Sequence, residues 1–231
     1  MARGPLGDDD GDGPFDPSRV PAEVPPAVTT ETLDNGLRVL LYKDAAADGV
    51  APGAALLVPF DPAAEPVGLE GASAVLVRLA IAGTDRDTEH GSPSARALGL
   101  GAMLTAVHDG AALGWSVAGT PAVSGPETDP NLLLAAVLDV AIRPELPGTA
   151  LASDADRWRA RLESDPDLAT QAALRWAVAL ALDFGRPVGT TPTTRALGDI
   201  HREAMIRVHR RLVRPERAMA GRTSSTRTRA T

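Results

Sequence analysis

Four places in this 231-residue chain carry residue types at spacings that chemistry uses. Asp8, Asp10, Asp12 and Gly13 match the opening of a calcium loop, whose alternate carboxylates supply hard oxygen ligands. Pro14 follows them, and Arg19 stands where that loop needs a bidentate Glu. Gly71-Ala72-Ser73 opens like a G-x-S-x-G nucleophile elbow, but Val75 replaces the second glycine. Gly99-Leu100-Gly101 begins like a dinucleotide loop, and Leu104 takes the place of its third glycine. His201 and His209 share one expected helix but lie eight residues apart, not the four that bring two imidazoles together. His90 and His108 fall in separate segments. Each pattern lacks one member that its chemistry requires.

What remains is a single charge in an apolar stretch. Gly68 to Thr84 is bounded by glycines, and only Arg78 is charged between Ala72 and Ala82. Ala72, Val75, Leu76, Leu79 and Ala80 recur with the spacing of a core-facing helical stripe. Ala74, Val77, Arg78 and Ile81 repeat that spacing on the other side. A helix apolar almost all round is a buried one, so Arg78 requires a carboxylate partner or a water-filled cleft.

The outline around this stretch, Pro59-Phe60-Asp61-Pro62-Ala63-Ala64-Glu65-Pro66-Val67 and then Gly68–Thr84, resembles the M16 metallopeptidases, the insulinase, pitrilysin and mitochondrial processing peptidase family. Leu33-Asp34-Asn35-Gly36-Leu37-Arg38-Val39-Leu40-Leu41 is similar to the family's N-terminal signature. In that family a helix bearing H-x-x-E-H holds zinc through its two His, and its Glu polarises the attacking water. The resemblance places the first His at Ala74, the Glu at Val77 and the second His at Arg78. The family's third ligand comes from a helix matching Ser153–Glu163, where Asp154, Asp156 and Glu163 are the available acids. Zinc, the family's cofactor, is therefore not expected, because the two imidazoles and the catalytic carboxylate are replaced. The expectation instead is an ion pair between Arg78 and one of these three acids, filling the position the metal would bridge.

The resemblance also implies an exposed edge strand over Gly101, Ala102, Met103, Leu104 and Thr105, which in active members binds substrate as an added strand. It implies the LuxS/MPP-like metallohydrolase fold, and it covers about Thr30 to Gly221, one of the family's two homologous halves.

The elements that must position these residues follow from local pattern. Thr30–Leu33 and Leu37–Tyr42 flank Asp34-Asn35-Gly36, a strong hairpin signal. Strands are expected over Ala54–Phe60, Gly101–His108 and Leu113–Gly119, and the resemblance implies that Glu216–Ala220 begins another. Helices are expected over Ser92–Leu98, Asn131–Val140, Ser153–Glu163 with Ser153 as its N-cap, Asp167–Leu182 and Asp199–Leu212. Gly185–Thr194 reads as a loop. Strands and helices segregate rather than alternate strictly, so the fold class is α+β: an antiparallel or mixed sheet with helices on one face.

Residues 1–28 are rich in Gly, Pro and Asp and read as a disordered acidic leader, 29–221 as a single domain, and 222–231 as a disordered Ser/Thr/Arg tail. A hydrophobic fraction of 44% suffices for a core, which must be built of Ala, Leu and Val because only 3% of residues are aromatic. The absence of cysteine excludes disulfides and thiolate metal sites. A net charge of -7 argues against general nucleic-acid binding. No apolar run reaches the roughly 18 residues of a membrane span, and a cytoplasmic protein is the default expectation.

The expected function is a non-catalytic M16-like protein that binds peptide or completes the chamber of an active zinc-peptidase sister subunit or second half. The alternatives are a zinc metalloendopeptidase whose site a partner completes, or an inactive fragment of a longer two-half protein.

Overall fold

The computed structural model describes residues 27–44, 52–81, 91–119, 129–144, 146–181 and 191–225. Six strands among them form one mixed sheet: β1 (Ala27–Thr32), β2 (Arg38–Asp44), β3 (Gly53–Pro59), β4 (Ala102–His108), β5 (Ala112–Gly119) and β6 (Met219–Ser225), in the order β1-β2-β6-β3-β5-β4. Every pairing is antiparallel except β2 with β6, which is parallel. The α+β expectation holds: the sheet is mixed, and seven α-helices accompany it among the described residues.

The Asn-Gly hairpin forms as its sequence dictates. Gly36 adopts φ 84°, and the turn closes with the Gly36 amide on the Leu33 carbonyl at 2.8 Å. A Cβ at Gly36 would also meet the Glu216 backbone at 3.0 Å, so the hairpin lies close against the short 3-10 turn Pro215–Arg217.

Alternation along the strands builds the core. Ala54, Leu56 and Val58 of β3 stand opposite Val117, Trp115 and Leu113 of β5, and all six are buried. Helix α3 (Pro130–Ile142) packs across β3 and β5 with Leu133, Val137 and Val140 buried. Helix α1 (Ala72–Ala80) lies against β4 and β5, and α7 (Arg202–Leu212) packs on α1. Full burial of a side chain such as Leu76 contributes about 1.5–3 kcal/mol.

Four expectations about the elements are corrected. The helix expected from Ser153 begins at Gly148 as α4 (Gly148–Ser164), so Ser153 is not its cap. Thr149, Ala150 and Leu151 extend it backwards because Leu151 buries its side chain there. The last helix is two: α6 (Thr194–Asp199), capped by the Thr193 hydroxyl, and α7, separated by extended Ile200 and His201. The final strand starts later than expected and does not stop at Gly221. It runs through Ser225, four residues into the stretch read as a disordered tail. It pairs with β2 along its whole length and with β3 over Met219–Arg222, and the Gly53 amide donates to Thr223 Oγ1 at 2.8 Å. Pairing with β2 satisfies the backbone of Thr223–Ser225, which outweighs a polar, low-complexity sequence. Residues 1–26, with the calcium-like pattern, and residues 226–231 lie outside the described residues, whereas Ala27 and Val28, also read as leader, open β1.

The remaining helices follow their signals. Ser92 caps α2 (Pro93–Gly99) and Asp129 caps α3, each accepting from an amide inside its helix. Helix α5 (Pro166–Ala181) starts at a proline and packs on α4, with Ala179 its one buried residue.

Candidate functional site

Helix α1 carries the three positions of interest, and buried groups fix it at both ends. At its start the Glu65 carboxylate, 2% exposed, accepts from the amides of Gly71 at 2.7 Å and Ser73 at 2.9 Å. These are orphan donors of a helix N-terminus, and a carboxylate there also meets the positive end of the helix dipole. Burial nevertheless raises the Glu65 pKa above its ordinary value, outweighing the hydrogen bonds from Ser73 and Gly71 that act the other way. Gly71 holds φ 81° and lies so close to the chain at 191–192 that a Cβ would come within 2.4 Å of Thr191.

At the other end the indole of Trp115 donates to the carbonyl of Val77 at 2.8 Å. That carbonyl belongs to the last turn, where helical acceptors lack intrahelical donors. Ser94 Oγ likewise donates to the Ile81 carbonyl at 3.0 Å. The rotation of α1 about its axis is thereby set, and with it the directions of Ala74, Val77 and Arg78.

Val77 is 2% exposed and packs in the core, whereas Ala74 and Arg78 are half-buried. The structure brings Arg78 against Asp154 of α4: Arg78 Nη2 donates to Asp154 Oδ1. Asp154 is only 2% exposed, while the Arg78 side chain is 40% exposed. Arg78 Nε and Asp154 Oδ2 are buried without a partner among the described residues, so the contact is single rather than forked. The Arg78 guanidinium also lies 5.7 Å from the ring centre of Trp158, one turn beyond Asp154, and Arg161 lies 4.9 Å from the same ring. α1 and α4 are thus joined by a charge pair backed by an aromatic face.

The other two acids face elsewhere. Asp156 is 73% exposed and pairs with Arg159 at 2.5 Å, and Glu163 is exposed near the end of α4. Ala74 and Val77 have no donor atom, and Arg78 sets a fixed positive charge beside Asp154. Among the described residues no group of three or more His, Cys, Asp or Glu is placed to hold a metal ion. The residues present do not fit the zinc ion of the peptidase pattern.

Ser73 is the position where sequence reasoning missed a contact. Its hydroxyl lies 2.8 Å from His108 Nε2, and His108 packs edge-on to Phe60 with ring centres 4.6 Å apart. A serine beside an imidazole and a buried glutamate suggests nucleophilic chemistry, but the order is wrong. Glu65 bonds the amide of Ser73 rather than the imidazole, and His108 Nδ1 is buried with no partner among the described residues. Ser73 is itself fully buried, out of reach of any substrate. Burial lowers the His108 pKa, which keeps the ring neutral. This network is a cap on α1. Its sequence signal was the Glu-Pro preceding the glycine, which placed Glu65 before a helix start.

His201 and His209 make contacts to backbone carbonyls. His209 Nε2 donates to the Ala141 carbonyl at 2.7 Å, and His201 Nδ1 to the Asp199 carbonyl at 2.7 Å. His90 lies outside the described residues.

The expected edge strand is at an edge. β4 ends the sheet and pairs only with β5 among the described strands. Gly101 precedes it with φ 69°, Ala102 and Leu104 are buried, and Met103 and Thr105 are exposed. On the side away from β5, the backbone of β4 has no strand partner among the described residues.

No family model matches the sequence, and no curated protein matches it. Among solved structures, the chain is similar to pitrilysin, with 18% identity over 90% of this chain and 22% of that one, at a TM-score of 0.66. It is similar to an M16-like peptidase from Alicyclobacillus acidocaldarius, with 15% identity over 89% of this chain and 47% of that one, at a TM-score of 0.66. It is equally similar in fold to an inactive M16 peptidase domain from Pseudomonas fluorescens, with 14% identity over 87% of this chain and 47% of that one and a TM-score of 0.66. The chain spans less than half the length of these solved proteins. Its fold is that of the M16 peptidases.

Proposed function

We propose that this chain is a non-catalytic component of a peptidase-like assembly, binding peptide by strand addition at β4 and completing a chamber with an active sister subunit or second half. The observation that carries this reading is the Arg78–Asp154 contact. It sets a guanidinium against the one buried acid of α4, where the resemblance places a zinc ligand, and Ala74 and Val77 offer no donor beside it. The fold supports a peptide-binding role through its open edge, and the similarity to an inactive M16 domain supports a fold kept without the chemistry.

The test is fluorescence anisotropy with a labelled extended apolar peptide, in the presence of a chelator. Saturable binding that the chelator leaves unchanged, and that weakens about tenfold when alternate peptide nitrogens are methylated, supports strand addition. An absence of saturable binding, or equal binding of the methylated peptide, contradicts it.

A further inference from the structure

Helix α5 turns an unusual stripe toward the body of the protein. Leu168, Ala172, Arg175 and Ala179 recur at i, i+4, i+7 and i+11 and are its more buried positions. Ala172, too short to reach the opposing chain, and Arg175, a cation, face a gap, whereas Ala179 is fully buried. The result is a cavity of about 320 Å³ between α4, α5 and the segment 191–194. Leu162, Ala169, Ala172 and Ala173 form its apolar wall, with Trp176 beside them and Arg175 also lining it.

Arg175 is the informative residue. Its Nη1 is buried and has no hydrogen-bond partner among the described residues. A guanidinium carries five donors in a rigid fork suited to a carboxylate, and although Arg175 as a whole is half-buried, leaving its buried Nη1 without an acceptor costs the desolvation of that group. By contrast Arg78, Arg96 and Arg159 each meet an aspartate. The cavity is large enough for an aromatic or branched side chain together with its carboxylate. The three threonines at 191, 193 and 194 give the opposite wall a polar character.

We infer that this cavity binds a small carboxylate bearing an aromatic or branched apolar group, its carboxylate on Arg175 and its apolar group against the alanine wall beside Trp176. Two sources share that chemistry, a free acid and the C-terminal residue of a peptide. The site lies between α4 and α5, away from β4, and stands independently of strand addition.

Isothermal titration calorimetry on the full chain tests this with N-acetyl-phenylalanine and its C-terminal amide. The expected result is saturable binding of the acid and at least tenfold weaker binding of the amide. Arg175→Met should abolish that preference. Ala172→Leu, which fills the cavity with a good helix former, should remove binding while the circular dichroism spectrum stays that of the parent. The peptide Ala-Ala-Ala-Phe separates the sources: tighter binding than the acetylated residue assigns the site to a peptide terminus, and equal or weaker binding to a free acid. Equal affinity for acid and amide, binding that survives Ala172→Leu, or no saturable binding at all overturns the proposal.

Discussion

Removing Arg78 should cost more than removing Asp154, and the asymmetry follows from their unequal burial. Asp154 is 2% exposed and has its described hydrogen bond from Arg78, so Arg78→Met leaves a buried carboxylate unpaired. Breaking a fully buried pair on one side costs about 3–5 kcal/mol, and partial solvent access from the 40% exposed Arg78 side reduces this to about 1–3 kcal/mol. Asp154→Asn leaves a guanidinium that can turn to solvent, at a cost of about 1 kcal/mol or less. Arg78→Met with Asp154→Leu replaces both charges by apolar bulk and should return stability to within about 1 kcal/mol of the parent. Urea unfolding followed by circular dichroism gives all three values and the coupling between them. Equal losses below about 0.5 kcal/mol for both single variants, with no coupling, would refute the reasoning.

Three further outcomes test how α1 and α7 are held. Gly71→Ala should destabilise by about 2 kcal/mol or more, because φ is positive and the new Cβ meets the chain at Thr191; an unchanged urea midpoint would show that the 191–192 segment yields. Trp115→Phe keeps most of the core volume but deprives the Val77 carbonyl of its donor, and should cost about 1–3 kcal/mol in the same assay, a null effect pointing to a substitute donor. Burial lowers the His209 pKa, with Arg210 adding to it and the hydrogen bond to Ala141 opposing. The stability this brings is full above the ordinary histidine value and is lost as pH falls through the lowered one. His209→Gln, whose amide can still donate to Ala141, should therefore narrow its stability deficit relative to the parent between pH 7 and pH 5; a constant deficit would contradict the assignment.

The sequence carried the scaffold further than the contacts. The Asn35-Gly36 hairpin, the α1 stripe and the strand pair around Asp109-Gly110 were legible because each rests on local chemistry: positive φ, a 3.6-residue period, a tight turn. Ser153 misled because a good capping residue also sits comfortably inside a helix when Leu151, two residues earlier, finds a core to enter. β6 misled in the opposite sense. Thr223 and the serines after it have no apolar period, and only their pairing with β2 makes them a strand. At the site, composition called for an acidic partner to Arg78 but could not choose among Asp154, Asp156 and Glu163. The choice depends on which face of α4 turns inward, fixed by Leu151 and Ala155 packing beside Asp154. The Ser73–His108 contact joins residues 35 positions apart through the pairing of α1 with β4, and no local pattern announces it.

We propose that the Arg78–Asp154 charge pair joins α1 and α4 in place of a catalytic metal. The most direct test is the metal content of the full chain after equilibration with zinc and exhaustive dialysis, run beside cleavage of a quenched fluorescent peptide. The account predicts no stoichiometric zinc and no chelator-sensitive cleavage. One zinc retained per chain, with cleavage lost on chelation and restored by zinc, would contradict it.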